Sequence, residues 1–263
     1  MTKLIQLFFY LLIVLLLTIT TQVGGIIWII ALVISKKFKL KKRFVFPAVY
    51  LVFNLIIIPP IANHFGRERL PVFHNHLKPR NWFYQIAFRN YVKPELKEML
   101  LEIVEENQYH PITITYLDAS FPFIDGFPLP PHLSHNDGKK VDISFMYTTK
   151  DGTTTTKKPS LSGYGHFTEP ESYSGTQTER CLNKGHWQYD KAKYLSLGTI
   201  NDLDFDRKET KRLLKILLKE PRTEKILLEP HLKFSLGLTN YSKIRFHGCR
   251  AVRHDDHLHL QIK

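Results

Sequence analysis

Apolar and polar positions divide this chain of 263 residues into two differently patterned parts. From Leu4 to Ser35 no residue is charged, and Leu, Ile and Val dominate. A second apolar run, FVFPAVYLVFNLIIIPPIA, covers Phe44 to Ala62. About 20 apolar residues cross the hydrocarbon core of a bilayer, so both runs qualify as membrane spans. The first is long for one helix rising about 1.5 Å per residue. It forms a single tilted helix, or TITTQVGG lies at the interface, and the number of crossings within residues 4–34 stays open. No A-x-A-like site follows Leu17, which argues against a cleaved signal peptide.

Beyond residue 63 the periods shorten. Residues 64–92 are a polar, aromatic-rich connector whose His74 and His76 read as surface side chains. PELKEMLLEIVEENQ, opened by Pro94, places Leu96, Met99, Leu100, Ile103 and Val104 on one helical face. ITITYLD (112–118) alternates like a strand. FPFIDGFPLPPHL is loop, and VDISFMYTT and TTTTKKPS flank Asp151-Gly152 as the arms of a hairpin. Residues 160–200 show no clear period. DRKETKRLLKILLKE (206–220) is an amphipathic helix, KILLEP (225–230) a strand and RAVRHDDHLHLQI (250–262) a terminal strand. This order predicts an α+β domain with a small, mainly antiparallel sheet and flanking helices.

Charge changes this picture by orienting it. SKKFKLKKR, between the apolar runs, holds six basic residues in nine positions. Short basic loops stay cytoplasmic, so residues 35–43 are expected inside and everything after about His64 outside. The formal charge is +13, but residues 1–63 carry seven Lys or Arg and no acid, leaving 30 basic against 24 acidic residues elsewhere. Much of the basicity is therefore topological, and nucleic-acid binding is not expected. The organisation that follows is a membrane anchor over 1–63 with two transmembrane helices contacting the bilayer through residues 4–62, a connector over 64–92, and a domain over 93–263. Two cysteines, Cys181 and Cys249, exclude a four-cysteine zinc site by count. They form a disulfide or remain buried thiols, and both options stay open.

Candidate chemistry gathers at two places. In SHNDGKKVDISF, His135 precedes a strand on which Asp142 stands between Val141 and Ile143. A carboxylate there is costly unless it is paired or bound to metal. In the terminal strand His257 and His259 share a face, because strand side chains alternate. With His135 and Asp142 they supply two or three nitrogens and one carboxylate oxygen. Catalytic zinc sites use three protein ligands of this kind and keep a fourth position for water. Gly138 serves the turn between His135 and Asp142. His132 matches no part of this spacing, and Tyr164, His166, His186 and Trp187 read as solvated loop residues.

S-H-x-x-G-x-x-V-D-I at Ser134–Ile143, with H-x-x-H-x-H at His254–His259, resembles the penicillin-insensitive murein endopeptidases. These belong to the wider lysostaphin, D-alanyl-D-alanine peptidase and hedgehog (LAS) zinc fold, and the resemblance covers about residues 93–263. It implies one zinc ion held by His135, Asp142 and His259. It makes His257 a base or a stabiliser of the tetrahedral intermediate, and His254 a further active-site histidine. Asp256 departs from the endopeptidase pattern. It stands three residues before His259, where related D-alanyl dipeptidases carry a glutamate base. His257 and Asp256 thus compete for that role, with His257 favoured by strand parity. The implied activity is hydrolysis of peptidoglycan peptides on the periplasmic side of a bacterial cytoplasmic membrane. D-alanyl carboxypeptidase or dipeptidase action, or a non-catalytic zinc-bearing module, are the alternatives on the same fold.

Overall fold

The computed structural model describes residues 3–107, 109–170 and 176–263. The chain is α+β and divides into two compact units. The first comprises Met1–Leu70, Trp82–Lys97 and Asp118–Gly138; the second comprises Pro71–Asn81, Glu98–Leu117 and Lys139–Lys263.

In the first unit the long uncharged run is not one helix. It forms α1 (Lys3–Thr21) and α2 (Gly24–Lys37), parted at Gln22, whose φ is +65°. Thr21 Oγ1 accepts the Gly24 amide at 2.8 Å, satisfying a donor at the start of α2. Gly24 and Gly25 allow the close approach: a Cβ on Gly25 would stand 2.2 Å from Thr18 Oγ1 and 2.7 Å from the Val14 carbonyl oxygen. Small residues at such a crossing bring helix backbones together. The second apolar run forms α3 (Lys42–Val52) and α4 (Ile58–His64), joined by a π-helical turn over Phe53–Ile57. Pro59 and Pro60 lack the amides a regular helix would use there, which accounts for the widened turn. Among the described residues two helices, Lys3–Thr21 and Lys42–His64, are long and apolar enough to cross a membrane. They expose Leu4, Phe8, Leu11, Phe44, Leu51 and Ile56. Val23, Ile27, Ile58, Ala62, Phe88 and Tyr91 form this unit's apolar core. Glu68–Arg69 pair antiparallel with Tyr91–Val92.

The second unit is built on a six-stranded sheet. Its strands are β1 (Leu77–Pro79), β2 (Ile114–Tyr116), β3 (Lys140–Ser144), β4 (Thr223–Leu227), β5 (Ile244–Arg245) and β6 (His257–Ile262), in the order β5-β4-β6-β3-β2-β1. The expected mainly antiparallel sheet is corrected here: the sheet is mixed, since β5–β4 and β2–β1 run parallel. β1 comes from the segment expected to be a connector. The Asp151-Gly152 hairpin is present, pairing Tyr147–Thr148 with Thr154–Thr155, but it belongs to a separate three-stranded sheet with Asp204–Phe205.

The helices follow their periodicity. In α5 (Pro94–Glu106), Leu96, Met99, Leu100, Ile103 and Val104 are all buried. The described residues of 160–200 include two elements that the absence of a period concealed. One is α6 (Gln177–Asn183), opened by a capping box in which the Thr176 hydroxyl accepts the Glu179 amide and Glu179 accepts the Thr176 amide. The other is a 3-10 helix over Trp187–Ser196. α7 (Arg207–Lys219) starts where Asp206 accepts the Glu209 amide and buries Leu213, Leu214, Leu217 and Leu218. Each leucine buried in this way contributes about 1.5–3 kcal/mol. α8 (Pro230–Ser235) begins on Pro230 and stops the preceding strand at Leu227, three residues short of the expected end.

Candidate metal centre

The arrangement starts from the register of two central strands. β6 lies antiparallel to β3, so that His259 faces Asp142 and His257 faces Ser144. Alternation then puts Asp142, Ser144, His257 and His259 on one face of the sheet. Asp142 is completely buried, and His257 and His259 are buried too. Within its own unit the Asp142 carboxylate is met by two histidines and a tyrosine. His259 Nδ1 lies 3.0 Å from Oδ1, His257 Nε2 lies 3.6 Å from Oδ1, and the Tyr164 hydroxyl donates to Oδ2 at 2.7 Å. Tyr164 also sets its ring edge-on to His257, with centroids 5.0 Å apart. It is buried, not a solvated loop residue as expected from its surroundings. Gly163 and Gly165, both at positive φ, shape the bend that delivers it.

His132 and His135 are oriented from their own segment. Asp118 accepts two hydrogen bonds from Arg89 at 2.6 Å each and lies 2.9 Å from His132 Nδ1 through Oδ2. Burial alone would raise the Asp118 carboxyl; Arg89 and His132 overcome it and hold the group below the ordinary range. His135 Nδ1 lies 3.0 Å from the Ala119 carbonyl oxygen. A carbonyl only accepts, so this nitrogen carries the proton. Carboxylate or carbonyl partners of this type fix the tautomer of metal-binding histidines. His132, His135 and Asp142 are all buried. Within the second unit Asp142, His257 and His259 bring one carboxylate and two imidazoles together, a donor set that suits zinc among other metal ions.

Of the expected ligands, His135 lies in the first unit and Asp142 in the second. His259, the third, reaches Asp142 directly. His132, which the spacing argument set aside, lies beside Asp118 in the first unit. Gly138 adopts φ +73° in the intervening turn, and a Cβ there would fall 1.3 Å from Arg67 Nη1, so the position admits no side chain without displacing a buried guanidinium.

The stretch before β6 departs from expectation. The terminal strand begins at His257, so Arg250–Asp256 are not strand and parity does not aim Asp256. Asp256 is completely buried, bonded through Oδ1 to His257 Nδ1, and accepts the Gly165 amide at 2.6 Å through Oδ2. The two candidates for the base role are thus bonded to each other. Burial opposes charge on His257, but Asp256 and Asp142 outweigh it and push its pKa up to about 9. His254 goes the other way: burial, and then the charges of His257 and His259, hold it well below the ordinary histidine value. Its amide donates to Glu229 Oε1 at 3.0 Å, and its ring lies 5.1 Å from that of His257 and 5.7 Å from that of His259.

Arg253 organises the surroundings. It pairs with buried Asp255, with Glu169 at 2.9 Å and with Asp190 at 3.2 Å, and stacks over Phe167. Residues from the period-free region are thereby tied to the segment carrying His254 and Asp256. Cys181 and Cys249 are disulfide-bonded. Of the other histidines, His74 and His76 are half-buried, with His74 Nδ1 accepting the Leu77 amide at 3.1 Å, and His166 packs edge-on against Tyr147. Trp187 is exposed, as expected.

No family model matches the chain, and no curated protein matches it.

Proposed function

We propose that the chain is a membrane-anchored zinc peptidase that hydrolyses amide bonds in peptidoglycan peptides outside the cytoplasm. The single observation that carries this reading is Asp142, a carboxylate with no exposure in the middle of a mixed sheet, faced by histidine nitrogens and a tyrosine hydroxyl. An isolated buried carboxylate is strongly disfavoured, and a metal ion is a partner that would compensate such a cluster of imidazoles and carboxylate. The motif resemblance at Ser134–Ile143 and His254–His259 supplies the substrate class.

Asp142 and His259 fit such an ion, and the motif resemblance makes His135 its third ligand. Zinc bound there supplies polarisation of an amide carbonyl and a water acidified toward neutrality. The chain's own groups do the rest. Tyr164 fixes the orientation of the Asp142 carboxylate, and Asp118 and Ala119 fix the rings of His132 and His135. Asp256 holds His257 by its Nδ1, leaving Nε2 on the Asp142 side as a proton donor for negative charge developing on a substrate oxygen. Neutral His254 packs beside it. Anchoring through Lys3–Thr21 and Lys42–His64, with the basic loop between α2 and α3 cytoplasmic, puts this chemistry at the outer face of a bacterial cytoplasmic membrane.

The test is digestion of purified sacculi by the full chain in detergent, with and without chelator, read by mass spectrometry. Conversion of cross-linked dimers to monomers, lost in chelator and in Asp142→Asn, supports an endopeptidase. Release of D-alanine redirects the reading to a carboxypeptidase. Stoichiometric zinc with no turnover on any muropeptide overturns catalysis and leaves a binding module.

A further inference from the structure

The segment between α2 and α3 carries an arrangement that anchoring alone does not require. Lys36, Lys37, Lys39, Lys41, Lys42 and Arg43 are all exposed, and residues 1–63 contain no acid to neutralise them. The loop is held in one shape. The Ser35 hydroxyl, itself buried, donates to the Leu40 carbonyl at 2.6 Å, the Leu40 amide donates back to the Ser35 carbonyl at 3.0 Å, and Lys39 takes a left-handed φ of +53°. Beside it lies an open recess of about 540 Å³ lined by Ser35, Leu40, Lys41, Lys42 and Arg43. Phe38, Leu40 and Phe44, interspersed among the cations, are 61%, 56% and 65% exposed.

Electrostatics make this an adverse arrangement in isolation. The positive end of the α3 dipole favours anions, yet its first turn holds no acid, and Lys41, Lys42 and Arg43 crowd it with like charge. An anion supplied from outside would relieve both the mutual repulsion and the dipole. The exposed aromatic and leucine side chains decide its source, because they suit the boundary between headgroups and acyl chains and gain nothing from a phosphate free in water.

We propose that residues 35–44 form a docking surface for anionic phospholipid headgroups, which the recess and its cations retain in preference to zwitterionic ones. The proposal rests on the reading of this chain as membrane-anchored. A basic segment beside a membrane helix attracts acidic lipid within about a Debye length of the surface.

The experiment reconstitutes the full chain in phosphatidylcholine bilayers doped with spin-labelled phosphatidylglycerol or spin-labelled phosphatidylcholine, and compares the motionally restricted fraction of each by electron paramagnetic resonance. The expected result is a several-fold preference for phosphatidylglycerol in the restricted fraction. It falls on raising the salt and collapses to parity in a Lys41→Gln, Lys42→Gln, Arg43→Gln variant, whose restricted phosphatidylcholine remains and reports an intact anchor. A Lys41→Arg, Lys42→Arg variant keeps the preference. Equal restriction of the two lipids in the native chain, or a preference unchanged in the glutamine variant, overturns the proposal. The absence of any restricted lipid overturns the membrane reading itself.

Discussion

Two regions of this molecule invert the ordinary distribution of side chains, in opposite senses. Over residues 3–64 large apolar side chains such as Leu4, Phe8, Phe44 and Ile56 stand outward. At the centre of the six-stranded sheet, Asp142, His257 and His259 stand inward and buried. Each inversion is costly in water and each points to something the chain is made to meet. Exposed apolar helices call for an apolar surrounding. Buried titratable groups call for a charge that compensates them. The difference lies in how each cost is met: the helical region defers it to a bulk phase, whereas the sheet has arranged specific partners atom by atom.

The most severe way to break that comparison is to remove the inward charge. Asp142→Asn is expected to abolish zinc binding and muropeptide cleavage together, measured by metal content after dialysis and by product analysis. In chelator the variant should melt below the native temperature, since it leaves the buried His257 imidazolium without one of its two neighbouring carboxylates. Chelator should lower the melting temperature of the native chain and leave the variant's unchanged, because a ligand bound to the folded state stabilises it by mass action. Normal zinc stoichiometry in Asp142→Asn would show that the carboxylate is structural.

Next in size is Arg253, where the inward charge has a partner from the chain itself. Arg253→Met leaves Asp255, which is 1% exposed, without its guanidinium. Breaking a buried pair from one side costs about 3–5 kcal/mol, to be read as a shifted urea midpoint. Loss of cleavage with unchanged stability would instead make Arg253 part of the reaction. The outward-facing region is probed at Gly25. Gly25→Leu forces a side chain against Thr18 and the Val14 carbonyl, and overpacking of this kind costs about 1–3 kcal/mol. Thermal unfolding in detergent should lose its earliest transition while the site still binds zinc.

How much of this was legible in the sequence depends on the range of the interactions involved. α5 and α7 were readable because one helical face repeats over 13 residues in each, and the hairpin because Asp151-Gly152 marks its turn locally. Asp142 was readable because a carboxylate inside V-D-I violates its own strand. β1 and β5, with three and two residues, are too short to show a period, so the parallel pairs that make the sheet mixed were not visible. α6 did announce itself through Thr176 and Glu179 in capping-box spacing, a signal the surrounding lack of period obscured. Tyr164 and His132 had no local signature. Each enters through a contact that chain topology creates, 22 residues from Asp142 in one case and 14 from Asp118 in the other. Parity could not place Asp256, because the strand begins one residue after it.

Tyr164 offers the smallest and most discriminating perturbation. Tyr164→Phe removes one hydroxyl, 2.7 Å from Asp142 Oδ2, and keeps the ring that packs against His257. If the carboxylate is oriented for a metal, losing its supporting donor should weaken zinc about 10–100-fold, as outer partners of metal ligands generally do. Stability in chelator should change by only about 1 kcal/mol, the net worth of one hydrogen bond. Competition with a chromophoric chelator gives the first quantity and urea unfolding the second. A large fall in stability with unchanged zinc affinity would place Tyr164 among the groups that hold the sheet together, and the inward charge at Asp142 would then resemble the Arg253 network, paired by the fold for its own sake.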